Sequence, residues 1–130
     1  MTADFAAAHR TVCIRQIAGD LIDFLGQSLV FALSGAADRQ LPASWADQAR
    51  HRPDQACESR LRLAYRLLLL LSAAQPAEDI RAWFTGTVGF GIPGFCPISA
   101  IRHGDNTLVL TAALWFAAEP ADLLAIVHQA

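Results

Sequence analysis

Six of the ten arginines lie between positions 39 and 66: Arg39, Arg50, Arg52, Arg60, Arg62 and Arg66. Only Asp47, Asp54 and Glu58 oppose them in that stretch. Guanidinium groups grip phosphate and carboxylate oxygens in paired hydrogen bonds, so this local surplus points to anion binding. Other chemistries fare worse. His9, His51, His103 and His128 do not pair with one another, with Cys or with acids at metal-ligand spacing. Cys57 and Cys96 have no sequence neighbour that would activate a thiolate. None of the serines sits in a nucleophile-elbow context, and Glu78 and Asp79 are explained as first-turn helix acids. Nothing here carries catalysis, and no metal or cofactor is expected. The string Gly89-Phe90-Gly91-Ile92-Pro93-Gly94 matches Gly-x-Gly-x-x-Gly literally, but a helix precedes it where a dinucleotide fingerprint needs a strand. It reads instead as an irregular loop whose Phe90, Ile92 and Phe95 either tuck into the C-terminal half or meet a partner.

The elements that must position these residues are helical. At 130 residues, 54 % hydrophobic and 17 % charged, the chain is a folded domain and not a disordered segment. Ten Arg and no Lys against twelve acids give a formal charge of −2, which argues against coating nucleic acid by bulk charge but leaves room for a local basic surface. Three widely spaced cysteines form neither a disulfide framework nor a zinc module, which fits a reducing cytosol. The N-terminus carries Asp4 where a secretory signal is basic. The apolar runs at 67–74 and 108–118 are too short for a bilayer crossing, so both are expected to be helices enclosed by other helices.

Sustained apolar–polar alternation is absent, and Leu, Ala and Arg dominate. Apolar residues at three- and four-residue steps predict a helix over about 11–25, interrupted by Gly26, and a short one over 27–33. Ser34-Gly35-Ala36-Ala37 is a turn, because Gly35 takes positive φ cheaply. A third helix follows within 38–49, its well-formed part opening on Pro42, with Leu41 and Trp45 facing the core. Asp54 caps a long helix running to about Ser72, the spine of the molecule. Pro76 opens a helix that carries Trp83 and ends at Gly86. The segment 86–97 holds four Gly and two Pro and is a loop. Short helices are expected from Pro97 to Arg102, from Asp105 or Asn106 through Phe116, and from Pro120 toward His128.

A short helix, a glycine-containing turn and a second short helix have the spacing of a helix-turn-helix, whose second helix enters the DNA major groove. Arg39, Gln40, Ser44, Arg50 and Arg52 would then face DNA. The competing expectation is a scaffold with no nucleic-acid role. Ala43 and Asp47 read bases poorly, and Arg60, Arg62 and Arg66 can simply solvate the spine.

The run Leu25-Gly26-Gln27-Ser28-Leu29-Val30, then Ser34-Gly35, Trp45 and Arg60-Leu61-Arg62-Leu63-Ala64-Tyr65, resembles the Xre-type N-terminal half of bacterial antitoxins. Arg81-Ala82-Trp83-Phe84-Thr85-Gly86, then Pro97, Ile101-Arg102 and Gly104, resembles the toxin-binding domain of the Xre/MbcA/ParS group. The resemblance covers roughly residues 20–118. It implies an all-α, cytoplasmic, dimeric antitoxin without catalytic activity. Residues 1–72 would form a helix-turn-helix lobe with the central helix, which binds operator DNA. Residues 73–130 would form a small helical lobe that binds a cognate toxin, often in this group a RES-type enzyme that consumes NAD. Trp83, Gly86, Phe90, Ile92, Phe95 and Arg102 are the expected partner-binding residues.

Overall fold

The computed structural model describes residues 13–47, 52–86 and 96–118. Among them there are seven α-helices and no strand: α1 (Ile14–Leu25), α2 (Gln27–Ser34), α3 (Leu41–Asp47), α4 (Gln55–Ser72), α5 (Ala77–Phe84), α6 (Pro97–His103) and α7 (Asn106–Ala118). The all-α expectation holds. The expected helix from Pro120, together with Arg50, Phe90, Ile92 and Phe95, lies outside the described residues.

Local chemistry sets most helix boundaries. Gly26 at φ 92° separates α1 from α2, a conformation that side-chain-bearing residues rarely adopt. Asp54 caps α4, its carboxylate accepting the Cys57 amide at 2.8 Å. That hydrogen bond holds the Asp54 carboxyl below its ordinary range. Pro97 occupies the first turn of α6, and Gly104 closes it in the left-handed region, with the Asp105 amide reaching back to the Ala100 carbonyl. In α3 the helix begins one residue before Pro42, whose ring is buried beside the core residue Trp45.

The buried side chains form one cluster reaching from Ile14 to Phe116. Helix α4 packs on α1, α2, α5, α6 and α7. The helices before and after α4 also meet directly, since α2 packs against α6. Trp83 and Phe116 stack with ring centroids 5.9 Å apart and planes 5° from parallel, and Phe84 meets Trp83 edge-on at 5.1 Å.

Four helix carbonyls are held by side chains from elsewhere in the chain. Arg15 on α1 donates to the Ala46 carbonyl of α3 at 3.2 Å. Arg60 on α4 donates to Ser34 at the end of α2 at 2.9 Å. Arg81 on α5 donates to Phe24 of α1 at 3.0 Å, its guanidinium 4.6 Å above the Phe24 ring. Gln75, in the turn before α5, donates to Phe116 of α7 at 2.9 Å. Arg60 and Arg81 meet carbonyls in the last turns of α2 and α1, at the negative end of a helix dipole.

Candidate functional site

The segment between α2 and α3 is built by side chains that bind backbone. Ser34 is fully buried; its hydroxyl donates to the Phe31 carbonyl and accepts the Ala36 amide. Gly35 turns the chain at φ 73°, and a Cβ placed there would lie 2.7 Å from Nη1 of Arg60. Asp38 accepts the Gln40 amide on its carboxylate at 2.8 Å and the Leu41 amide on its carbonyl, which launches α3. The turn is therefore held from both ends. At its crest Arg39 and Gln40 are exposed.

The Arg39 guanidinium lies 6.0 Å from the centre of the Phe31 ring. It closes one side of a groove of about 340 Å³ whose other walls are Gln27 and Ser28, on the first turn of α2. Ser44 is half-buried on α3. Arg52 is exposed and sits 3.6 Å from Glu58, the carboxylate that also holds Arg62 at 3.0 Å. The structure thus brings Arg39 and Gln40 together at the turn and ties Arg52 to the start of α4.

In the C-terminal half, Trp83 is not a surface residue. At 2 % exposure and stacked on Phe116, it can support a docking surface only from behind. Gly86 ends α5 at φ 75° and is half-buried. Arg102 is exposed on the last turn of α6. Beside it, His103 Nδ1 lies 2.8 Å from the Ser99 carbonyl, a contact that requires this nitrogen to carry the proton.

Two features escaped the sequence reading. Arg60, expected to solvate the spine, caps α2. Its partner lies 26 positions away, and local patterning gives no sign of it. The apolar run at 108–118 is not enclosed by other helices, contrary to expectation. Val109, Ala112, Ala113 and Phe116 face the core, while Leu108, Leu114 and Trp115 are 41, 57 and 63 % exposed. A helix that is apolar all round does not announce which face is left outside. Among the described residues, no group of three or more His, Cys, Asp or Glu could hold a metal ion, and no helix is long and apolar enough to cross a membrane. No family model, curated protein or solved structure matches this chain.

Proposed function

We propose that this chain is an antitoxin-like transcriptional regulator without catalytic activity, working in the cytoplasm as a homodimer. Its residues 1–72 bind operator DNA, and residues 73–130 hold a cognate toxin, of the RES type in the closest fit to the sequence resemblance. The observation that carries the reading is the α2–turn–α3 unit with Arg39 and Gln40 exposed at its crest, Arg39 across a groove from Gln27 and Ser28. In a helix-turn-helix the first helix crosses the DNA backbone, and Gln27 and Ser28 at its start, with Arg39 across the groove, are suited to phosphate oxygens. For the toxin-binding half, Gly86 is half-buried after α5 and Arg102 is exposed on α6, with Trp83 and Phe116 stacked in the core.

Filter binding to promoter duplex at two salt concentrations tests the DNA half. Affinity should fall steeply with salt, and Arg39→Ala should lower the slope of log K against log salt by about one phosphate contact without changing thermal stability. Undetectable or salt-insensitive binding refutes it. Co-expression with the adjacent reading frame tests the toxin half, with rescue of its toxicity as the expected result.

A second reading, a protein-interaction module that keeps the helix-turn-helix as scaffold, is favoured by one specific set of contacts. Pro42 and Trp45 of α3 are spent on the core, Arg60 on capping α2, and Arg52 is drawn to Glu58. On that reading Arg39→Ala changes nothing in the filter assay.

A further inference from the structure

We infer that the outer face of α7 is the surface through which two copies of this chain pair. The inference rests on the self-association in the reading above and adds where it occurs. Leu108, Leu114 and Trp115 are the large apolar side chains that stand exposed among the described residues, and all three belong to this one helix. From Asn106 to Ala118 the helix has no charged residue, so bringing a second copy against it sets no like charges together. The polar group in the middle of the stripe is already satisfied. Thr111 donates its hydroxyl to the Thr107 carbonyl at 2.8 Å, so it needs nothing from a partner and can present its methyl group.

The spacing is self-complementary. Leu108 and Trp115 are seven residues apart, two helical turns, with Thr111 between them on the same face. A twofold axis near Thr111 sets two α7 helices antiparallel and places Leu108 of each copy against Trp115 of the other, a closed isologous contact. The area sets the strength. Trp115 leaves roughly 150 Å² of side chain outside, and the three residues together on the order of 350 Å². Two such patches, widened by Thr107, Thr111 and Ala118, reach only about 1,000 Å² in total, the lower edge of a specific interface. An interface of that size suits a concentration-dependent pair, for which a micromolar Kd is the expectation tested below.

Sedimentation of the full chain over roughly 1–100 μM tests this, with the sample concentration bracketing a micromolar Kd. The expected result is a monomer–dimer equilibrium, weakened at least tenfold by Trp115→Glu and by Leu114→Glu, while helicity is unchanged. A second readout needs no variant. Trp45 and Trp83 are buried at 3 and 2 % exposure, so acrylamide quenching of the wild type reports mainly Trp115 and should fall as concentration rises. A wild type that stays monomeric, with quenching independent of concentration, overturns both the pairing and the self-association. A dimer undisturbed by either substitution, with Trp115 still fully quenched, overturns the placement alone and leaves self-association standing. Growth beyond the dimer overturns the isologous geometry.

Discussion

Gly35→Ala combined with Arg60→Ala tests the construction of the α2–α3 turn most directly. Two separate effects meet at Gly35. Its φ of 73° is left-handed, where an alanine costs about 1–2 kcal/mol. The added Cβ would also sit 2.7 Å from Nη1 of Arg60, the atom that donates to the Ser34 carbonyl. A guanidinium is the far end of a flexible side chain, so it gives way instead of straining the backbone. The consequence is loss of the cap, about 1 kcal/mol for a hydrogen bond of this kind. Gly35→Ala should therefore destabilise by about 2–3 kcal/mol and Arg60→Ala by about 1 kcal/mol. The double variant should be no worse than Gly35→Ala alone, because the cap it removes is already gone. Urea unfolding of the four proteins gives the coupling, expected at about 1 kcal/mol. Simple additivity, with the double variant near 3–4 kcal/mol, would refute the reasoning, because it would mean that Arg60 does not move aside for the methyl group.

Further outcomes follow from other contacts. Trp83→Ala empties the site between Phe84 and Phe116 and should cost about 3–5 kcal/mol, read as a fall in the denaturant midpoint. Tyr65 is the sole tyrosine; burial first, and its hydrogen bond to Asp20 at 3.1 Å second, push its phenol pKa up. A raised folded-state pKa favours the protonated phenol, so this stability is whole below about pH 10 and is lost as pH rises through the folded value. Absorbance titration should place Tyr65 above the free phenol, and Asp20→Asn should move it back down. Asp54 has the opposite sign: its lowered pKa contributes stability above about pH 4, lost as pH falls through the folded value. Asp54→Asn keeps a capping oxygen and should flatten that acid limb, whereas Asp54→Ala should remove the cap at every pH. Thiol labelling should modify the exposed Cys13 quickly and the buried Cys57, whose thiol is pushed up by burial, only on unfolding.

The residues that announce themselves in this sequence act over short range. Gly26, Asp54, Pro97 and Gly104 each fix a helix end through their own backbone or the next turn, and each was legible. Leu41 and Trp45, four apart, share the inward face expected of them, with Trp45 fully committed to the core. Long-range partners were not legible. Arg15, Arg60 and Arg81 meet carbonyls 31, 26 and 57 positions away, and charge counting entered Arg60 in a basic surplus when it caps α2. Arg39 differs because its own turn holds it outward. The outer face of α7 escaped for another reason: Leu114 and Phe116 are equally apolar, and only packing decides that one is exposed and the other fully buried.

The cross-chain capping has a consequence for how the molecule opens. When α5 frays, α1 loses the donor on its last turn; when α1 lifts, α3 loses the Arg15 donor on Ala46. Detaching α5 therefore strips a contact from α1, and detaching α1 strips one from α3, so either excursion is penalised twice. Amide exchange should accordingly rise in α1 when α5 is loosened and in α3 when α1 is loosened, and a partner that pries at α5 would be felt at α1.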